Sequence, residues 1–311
     1  GEPFIHKDLP EIVRAFEGAG IHVRIQTNGL AKEEELARCV EAGAHDISIS
    51  LDSLDPDRQD LINGGAPGSW GRALDTMAKV TRKFPSKGAF AALGCVLSPH
   101  NLDDVESVIR FGTDIGWHTS LVPLHTTSPH KPMNFRTYDQ ALAFRPEHYP
   151  RVDALIEKVK ELKKDGALLY DSDVYLDDIK RFVRNDPTLW RGRNSGVCDS
   201  PGLYFAILPN GHFSVCCDHR LPGRGVPTQS PDFPKIYRDP EFRARVLGVT
   251  QPCIGCMYGS YPEITITARW WSAAFERLDV FLAGEPKKNW PLTTEQIEAA
   301  AARRRPSVLP A

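Results

Sequence analysis

Five cysteines lie in one late part of the sequence, where their thiols could bind a metal. They are Cys198, Cys216, Cys217, Cys253 and Cys256. Two thiolates separated by two residues, as in Cys-Ile-Gly-Cys, can reach one metal centre from a single tight loop, and a hairpin can bring further thiolates from a distance. The spacing admits a structural zinc or an iron–sulfur cluster, and taken alone it slightly favours zinc.

Four of these thiols are the predicted ligands. They are Cys198, Cys216, Cys253 and Cys256. A hairpin signal at Asn210-Gly211 precedes the second ligand, and Cys217 is predicted to be a non-ligand because adjacent side chains on a strand point to opposite faces. Cys39 and Cys95 have apolar neighbours and are predicted to be small buried hydrophobes. An odd, uneven set of seven cysteines indicates metal binding rather than disulfides.

A second group of polar or turn-forming residues stands where predicted strands end. These residues are Gly1, Glu2, Pro3, Thr27, Asn28, Ser48, Ser50, Asp52, Asn101 and His125. Each has an ordinary alternative role, because Asn-Gly forms turns, Asp52 can cap a helix and Asn101 is a good N-cap. Together they place polar groups at consecutive strand ends, and chemistry collects at the carboxyl ends of parallel strands.

The elements that must position these residues alternate between strand and helix about four times. The strand patterns cover residues 22–26, 46–51, 89–97 and 118–124. The helical patterns cover residues 8–18, 33–42, 70–84 and 102–116. Glycine-containing connections join them, and this order predicts parallel βα units and the α/β fold class.

Beyond residue 125 the alternation is lost. Residues 126–195 are predicted to be a connection with the last elements of the first domain, including a helix over 152–164 and a strand over 167–170. Residues 196–262 form the small cysteine unit, and residues 263–311 form a helix over 267–282 and a tail. The aromatic stripe of that helix is expected to pack on the core. Its members are Trp270, Trp271, Phe275, Leu278 and Phe281. We expect Arg303 to Arg305 to form a solvated tail.

The composition excludes several classes of function. The chain has 311 residues, with 38 Lys and Arg against 40 Asp and Glu and a formal net charge of −2. This balance gives no global attraction to nucleic acid or anionic membranes. No uncharged apolar run approaches the ~18–20 residues of a membrane span. We therefore expect a cytoplasmic protein without a nucleic-acid or membrane partner.

The strand-end motifs resemble those of the radical S-adenosylmethionine enzymes. The similarity rests on Gly1-Glu2-Pro3, Thr27-Asn28-Gly29, Ile47 to Asp52 followed by Asp55-Pro56, and Ser98 to Asn101. It covers residues 1 to about 125 and implies a partial (β/α)6 TIM-like barrel that binds S-adenosylmethionine.

The same resemblance implies roles for individual residues. The backbone of Gly1, Glu2 and Pro3 would hold the methionine amine. Thr27, Asn28, Ser50 and Asp52 would line the methionine or ribose, and Val122 to Leu124 the adenine. These assignments belong to the resemblance and not to the spacing.

The cysteine unit resembles the auxiliary-cluster extension of that superfamily, called SPASM. Twelve residues separate Cys198 from Gly211, four separate Gly211 from Cys216, and Cys253-x2-Cys256 follows. A full extension would have another cysteine where this sequence has Pro262. The resemblance therefore implies the shorter twitch version with one auxiliary 4Fe-4S cluster, and it replaces zinc by iron as the expected metal.

The motif that defines the family, Cys-x3-Cys-x2-Cys, is absent from the 311 residues. The resemblance leads us to expect that the natural gene extends upstream of Gly1 and supplies this triplet with a second 4Fe-4S cluster. Without it, these residues alone could not perform radical chemistry.

By resemblance, a 5'-deoxyadenosyl radical would remove a hydrogen atom from the substrate, with an electron donor such as flavodoxin or ferredoxin. An auxiliary cluster near the substrate would favour oxidation. Small polyols, aminocyclitols and side chains of a peptide are all compatible substrates. His125, Asp171 and Asp173 are candidates for deprotonating the substrate radical, although a surface turn is the commoner role for such residues.

Two other classes of function stay open. The chain could be a zinc-stapled, catalytically inactive barrel that acts as a binding module. It could also be a non-radical barrel enzyme such as an aldolase, which would need a lysine in a strand, and the four predicted strands contain none.

Overall fold

The computed structural model describes residues 2–126, 139–192, 200–217, 219–223, 225–282 and 289–306. The chain forms two compact units, which we describe one at a time. The first comprises Gly1–Val122, Glu157–Tyr170 and Leu278–Ala311. The second comprises Pro123–Ile156 and Asp171–Arg277. The division expected at residues 125, 195 and 262 stays a prediction.

The first unit is built on a four-stranded sheet with the order β1-β2-β3-β4. The strands are β1 (Arg24–Thr27), β2 (Asp46–Ser50), β3 (Phe90–Leu97) and β4 (His118–Pro123). Strands β1, β2 and β3 are parallel, with Ile25 opposite Ile47 and Ile47 opposite Ala91. The predicted α/β class is confirmed. The strand expected over 167–170 is shorter than predicted, because only Leu169 forms a bridge, to Thr119.

The helices follow in chain order. They are α1 (Leu9–Gly18), α2 (Glu33–Glu41), α3 (Pro56–Ile62), α4 (Ser69–Lys83), α5 (Val105–Asp114), α6 (Tyr149–Lys164), α7 (Asp173–Val183), α8 (Leu189–Gly192), α9 (Ser200–Leu203), α10 (Phe233–Arg238), α11 (Pro240–Thr250), α12 (Ser260–Arg269), α13 (Trp271–Leu282) and α14 (Thr294–Arg304). Short 3-10 turns cover Pro3–Ile5 and Pro146–His148.

The two faces of the sheet differ because side chains alternate along each strand. Ile47, Ile49 and Leu93 are fully buried on one face. That face meets the helices, since a Cβ on Gly112 of α5 would lie 3.2 Å from Leu93 Cδ1. Each such aliphatic side chain contributes about 1.5–3 kcal/mol by leaving water. At the alternate positions, Ser48, Ser50 and Gly94 are small or polar and partly accessible.

The carboxyl-terminal helix α14 belongs to the first unit, and the sequence did not predict it. A capping box at Thr293 and Gln296 begins the helix. At its other end Arg304 makes two hydrogen bonds to the Asp114 carboxylate, at 2.8 and 2.9 Å. The expectation that Arg303 to Arg305 form a solvated tail is therefore wrong, because Arg303 and Arg304 are helical and Arg304 is paired.

The second unit contains a two-stranded antiparallel hairpin of β5 (Ala206–Ile207) and β6 (Phe213–Ser214), where the sequence predicted one. Beside it lies a small apolar cluster formed by Phe213, Val215, Phe242 and Val246. This unit has little regular strand structure, so side-chain contacts must hold its loops.

The single helix expected over 267–282 is wrong. Trp270 has extended backbone angles, φ −122° and ψ 114°, and separates α12 from α13. On α13, Trp271, Phe275 and Leu278 are 82%, 63% and 50% exposed. The stripe therefore does not pack on a core at these three positions. Among the side chains of α13 that the structure describes, Ala273 is fully buried.

Within the described ranges, every helix is too short or too polar to cross a membrane.

Candidate functional site

The Glu2 carboxylate joins the start of the chain to the end of strand β1. Its Oε1 accepts hydrogen bonds from Thr27 Oγ1 at 2.7 Å and from the Phe4 amide at 3.1 Å. Its Oε2 accepts one from the Asn28 amide at 2.8 Å. Charge-assisted bonds of this kind are stronger than neutral ones. The geometry therefore fixes the turn Glu2-Pro3 against the carboxyl end of β1.

The turn after β1 needs a glycine. Gly29 has φ +81°, and a Cβ there would lie 2.9 Å from the backbone of Ala73 in α4. The Gly29 carbonyl also accepts a hydrogen bond from Thr76 Oγ1 at 2.6 Å. The Thr-Asn-Gly motif thus packs directly on a helix, and its residues cannot shift independently of the sheet.

Small and polar side chains share the accessible face of the sheet. The register places Gln26 opposite Ser48, and Ser50 opposite Gly94. Ser48, Ser50 and Gly94 are all partly exposed, whereas their neighbours Ile47 and Ile49 are buried on the other face. A Cβ on Gly94 would lie 3.6 Å from Ser48 Oγ, so the missing side chain leaves room on this face. This face can accept a polar ligand, and hydroxyl groups are available to it.

Asp52 follows β2 and is 4% exposed. Its Oδ1 accepts the Val96 amide at 2.5 Å, which ties the end of β2 to β3. Burial raises the pKa of this carboxyl to about 6, although the bond from Val96 acts in the opposite direction. The main-chain carbonyl of Asp52 accepts Asn101 Nδ2 at 3.0 Å. The polar ends of β2 and β3 are therefore linked into one structure.

The other residues expected to bind S-adenosylmethionine occupy varied positions. Pro3 begins the 3-10 turn that follows Glu2. Val122 is partly exposed near the end of β4, and Leu124 is partly exposed in the second unit. Gly1 lies outside the described residues. Thr27 is 2% exposed, and its hydroxyl donates to Glu2.

The loop from Cys253 to Cys256 is a tight turn that is held by contacts with Thr188 and Trp190. Gly255 has φ +106°, and a Cβ there would lie 2.0 Å from Thr188 Oγ1. The Thr188 amide donates to the Ile254 carbonyl at 3.1 Å, and Trp190 Nε1 donates to the Cys256 carbonyl at 3.0 Å. The turn conformation is therefore imposed by the segment that begins α8.

Arg191 supplies most of the support for this loop. It is 3% exposed and donates to the carbonyls of Cys253, Thr250 and Gln251 at 2.8, 3.1 and 3.0 Å. Its Nη1 is buried without a hydrogen-bond partner among the described residues. A buried cation with a spare donor next to two thiols favours an anionic group there.

The second thiol loop follows the hairpin. Cys216 is 9% exposed, and its Sγ accepts the His219 amide at 3.3 Å. Arg220 Nη1 donates to the carbonyls of Cys216 and Cys217, both at 2.8 Å. Cys217 is exposed, in keeping with its predicted orientation away from Cys216. Burial lowers the pKa of His219, which favours its neutral form.

These features test whether the residues fit a thiolate-bound metal group. Cys216 and Cys256 are buried, and backbone amides donate to two sulfurs, with Gly255 to Cys253 at 3.4 Å. Amide donors of this kind tune iron–sulfur clusters. Across the described residues, no three thiols lie within 4.8 Å of one another, whereas thiolates on one zinc are ~3.8 Å apart. Cys198, the fourth expected ligand, lies outside the described residues.

His125 lies next to this loop in the second unit. Its Nδ1 is 2.8 Å from the Pro123 carbonyl, and its Nε2 accepts the Met257 amide at 3.1 Å. The ring stacks on Tyr258 with centroids 3.9 Å apart. Both nitrogens are engaged in the described conformation, so the geometry favours a role in positioning the residue after Cys256. Its role as a proton acceptor stays a prediction.

The two aspartates proposed for proton transfer differ in burial. Asp171 is 1% exposed and contributes to the raised pKa of Glu263, whereas Asp173 begins α7 and is partly exposed. Glu263 is fully buried, with Oε1 accepting the Ser172 amide at 2.7 Å. Burial and then the charge of Asp171 raise the pKa of Glu263 to about 7. A carboxyl with this pKa can gain and lose a proton at neutral pH.

Sequence reasoning missed Glu263, Arg191 and Gly94. Glu263 lies in a helical pattern that resembles any amphipathic helix, and Arg191 lies in a segment without periodicity. Gly94 could have been found, because a glycine inside a strand often marks a site where something approaches the backbone closely. Cys39 and Cys95 are fully buried as predicted, and burial raises the pKa of Cys39 to about 11.

Relatives of known identity match parts of this chain. The PqqA peptide cyclase of Ruegeria pomeroyi is 32% identical over 117 residues, which are 37% of this chain and 30% of that protein. The GTP 3',8-cyclase of Corynebacterium glutamicum is 38% identical over 64 residues, 19% of this chain and 17% of that protein. The matches thus span less than a third of these relatives.

Solved structures share the fold over most of the chain. Streptococcus suis SuiB superposes with a TM-score of 0.56 and 15% identity, over 88% of this chain and 63% of SuiB. The structure of SuiB bound to precursor peptide SuiA gives a TM-score of 0.55, over 88% of this chain and 62% of that chain. At this identity the likeness shows the fold alone.

The family profile described as the Radical SAM superfamily matches residues 1–112, which contain Glu2, the Thr-Asn-Gly turn and Asp52. The residues that carry the resemblance are those that the structure links at the ends of β1, β2 and β3. Residues 1–112 of this chain therefore match the radical S-adenosylmethionine superfamily.

Proposed function

We propose that the protein of which this chain forms all or part is a radical S-adenosylmethionine enzyme that oxidises a peptide. The observation that carries the proposal is the Glu2 carboxylate bound to Thr27 and Asn28 at the end of β1, inside the matched region. One-electron reduction of bound S-adenosylmethionine supplies hydrogen-atom abstraction in this superfamily. Everything else required of the chain is binding, orientation and exclusion of water.

In the first unit, the accessible face of the sheet would hold the cofactor. Glu2 fixes the turn whose backbone would meet the methionine amine, together with Gly1 and Pro3. Ser50 and Asn28 offer polar contacts to the methionine or ribose, and Gly94 leaves room opposite Ser50. Asp52 holds the β2 and β3 ends together, and Val122 and Leu124 would contact the adenine.

In the second unit, Cys198, Cys216, Cys253 and Cys256 would hold an auxiliary 4Fe-4S cluster of the twitch type. Three of these thiols lie in loops whose carbonyls are bound by Arg191 or Arg220. Such a cluster supplies an acceptor for one electron, which favours oxidation as the reaction. The spare donor of Arg191 supports the fit.

Two printed names favour a peptide over a small polar molecule. The cyclase relative is named for a peptide, and the SuiB structure contains a precursor peptide. The proposal therefore places a peptide side chain at the substrate position, with a cytoplasmic electron donor such as flavodoxin or ferredoxin. Asp171, Asp173 and His125 remain candidate proton acceptors.

The cluster is tested by anaerobic reconstitution with iron and sulfide. The chain should turn brown and bind about four irons, the content of one such cluster. Cys216→Ala, Cys253→Ala and Cys256→Ala should each lower the iron content, whereas Cys217→Ala is the matched control and should retain it. A colourless protein with one zinc would instead support the zinc-stapled binding module.

The cofactor site is tested by equilibrium dialysis with S-adenosylmethionine. Gly94→Leu would fill the space opposite Ser50 and should reduce binding at least tenfold, since ~1.4 kcal/mol corresponds to a factor of ten. Gly71→Leu, at a glycine of α4 with an ordinary φ and open space around it, controls for the added side chain. Equal binding by both variants contradicts the assignment of this face.

The substrate class is tested by co-expressing the full-length protein with each short peptide encoded beside its gene. A modified peptide should lose two hydrogens by mass spectrometry, as expected for an oxidation. If the peptides stay unchanged and the protein oxidises a polyol or an aminocyclitol instead, the substrate is a small molecule and not a peptide.

A further inference from the structure

We propose that Glu17, His22 and His45 bind a divalent transition-metal ion such as Zn²⁺ at the amino ends of β1 and β2. Each residue offers one ligand atom, and the three atoms lie within 4.8 Å of one another. Glu17 is near the end of α1, His22 precedes β1 by two residues, and His45 immediately precedes β2. The cluster thus lies at the end of the strands opposite to Thr27 and Ser50.

A buried carboxylate sets the tautomer of His22. Its Nε2 is 2.7 Å from Asp46 Oδ2, and Asp46 is 3% exposed. The other oxygen of Asp46 accepts the Phe90 amide at 2.8 Å, so the side chain is fixed. A proton on Nε2 is shared with this carboxylate, which leaves the lone pair of Nδ1 for a metal. Metal-binding histidines typically donate their other nitrogen to a carboxylate in this way.

A hydrogen bond also fixes the tautomer of His45. Its Nδ1 is 2.9 Å from the Gly43 carbonyl, which can only accept. The proton therefore resides on Nδ1, and Nε2 keeps its lone pair. The two imidazole rings are 4.4 Å apart with an interplanar angle of 65°. Each of the two neighbouring imidazoles therefore keeps one nitrogen lone pair for a metal ion bound beside Glu17.

The alternative is a protonated His22 between two carboxylates without a metal. His22 Nδ1 is 4.0 Å from Glu17 Oε1, which is too long for a hydrogen bond. Two ligands on one tetrahedral zinc are ~3.3 Å apart, so a small side-chain rotation would close this distance. Glu17 is also held in place, because Oε1 accepts the Val23 amide at 2.7 Å. The geometry favours coordination over an ion pair.

The donor set selects the class of metal. Two imidazoles and one carboxylate suit Zn²⁺ and related ions, whereas Mg²⁺ and Ca²⁺ prefer oxygen ligands alone. His22 is 55% exposed, which leaves room for water as a fourth ligand. The amino ends of barrel strands serve stability more than catalysis. The ion would therefore connect α1 with the starts of two strands.

The first experiment counts bound zinc on the 311-residue chain. Each protein is incubated with zinc chloride, freed of excess metal by gel filtration and analysed by mass spectrometry for metals. The thiols contribute equally to all samples. His22→Ala and His45→Ala should each hold one zinc fewer than the natural sequence, and the exposed His100→Ala should hold the same number. Equal counts in all four proteins would overturn the site.

The second experiment uses Asp46→Asn with nitrogen NMR of the histidine rings. The amide of an asparagine can donate to His22 Nε2 and would move the ring proton to Nδ1, which blocks the ligand. Zinc should shift the His22 Nδ1 resonance of the natural chain, and Asp46→Asn should need 10–100-fold more zinc for the same shift. The ion pair is correct, and the metal site is not, if zinc leaves the resonance of the natural chain unchanged. The same conclusion follows if the spectrum shows protons on both ring nitrogens of His22 at neutral pH.

Discussion

The two candidate sites are held in opposite ways. At the strand ends of the first unit, side-chain acceptors bind backbone amides, as Glu2 does for Asn28 and Asp52 for Val96. In the cysteine loops of the second unit, cationic donors bind backbone carbonyls, as Arg191 and Arg220 do. The difference teaches that the backbone of the first site is held through its amides and the backbone of the second through its carbonyls.

Among the substitutions that test this comparison, one at Gly255 in the second unit should lower the free energy of unfolding most. Gly255→Ala combines a positive φ with a Cβ 2.0 Å from Thr188 Oγ1, and we expect a loss of about 4 kcal/mol in the free energy of unfolding. Urea denaturation measures this change. Gly248→Ala, in α11 with open space around it, is the control and should gain about 0.5–1 kcal/mol.

A double variant separates the two causes. Thr188→Ala in the Gly255→Ala background should recover the part of the loss due to the contact and leave the part due to backbone strain. If Gly255→Ala and Gly248→Ala behave alike, the Cys253 to Cys256 loop is not held in this turn.

The arginine contribution should come next. Arg191→Met leaves three carbonyls without their donor and should cost about 3 kcal/mol of unfolding free energy, since bonds to charged groups contribute about 1.5–3 kcal/mol each. Arg238→Met, exposed on α10, should change it little. The same urea experiment compares them, and an equal cost for both would remove the proposed role of arginine in this loop.

The buried carboxyls allow a comparison by pH. The Glu263 pKa is raised from 4.5 to about 7, so its stabilising protonated form is complete below pH 4.5 and is lost as pH rises through 7. The predicted cost at higher pH is about 3 kcal/mol. Glu263→Gln should remove this slope and be more stable than the natural chain above pH 7.

Asp52 provides the matched case in the first unit. Its pKa is raised from 3.8 to about 6, so stability should fall between those pH values and then level. Asp52→Asn should remove the dependence of the unfolding free energy on pH between 3.8 and 6 that Asp52 causes, and it should leave the dependence caused by Glu263 unchanged. Identical pH profiles for the two variants would show that the units do not titrate separately.

The smallest effect is expected at Glu2. Glu2→Gln retains one acceptor but places an amide donor against the Asn28 amide, and it should cost about 1–2 kcal/mol in unfolding free energy. Glu34→Gln, exposed on α2, is the control and should be close to neutral. If both variants unfold alike, the Glu2 carboxylate does not hold the turn.

The sheet could be predicted because its signals are periodic. Alternation of apolar and polar residues indicated β2, and a continuous apolar run indicated β3. Gly29 and Gly43 marked the turns that follow β1 and α2. The register then brought Thr27, Ser50 and Asp52 to one edge without further information. Residue types at strand ends were therefore sufficient to predict that they would be near one another.

The support for the cysteine loops could not be predicted in this way. Arg191 binds carbonyls, and a carbonyl is present at every residue, so no pattern of side chains indicates which ones it reaches. The pKa of Glu263 depends on burial and on Asp171, which is 92 residues away in sequence. Trp270 has extended backbone angles between α12 and α13, and helical propensity does not predict this break.

The way in which Arg191 binds has a consequence for how this loop can vary among related sequences. Its three bonds end on main-chain oxygens, so they place no demand on the side chains of Gln251, Pro252 or Ile254. Homologues should therefore diverge freely at these three positions while retaining the arginine, Gly255 and the residue at 188. A library of variants should show the same division, with tolerance inside the loop and intolerance in the α8 segment, which does not contain the cysteines at all.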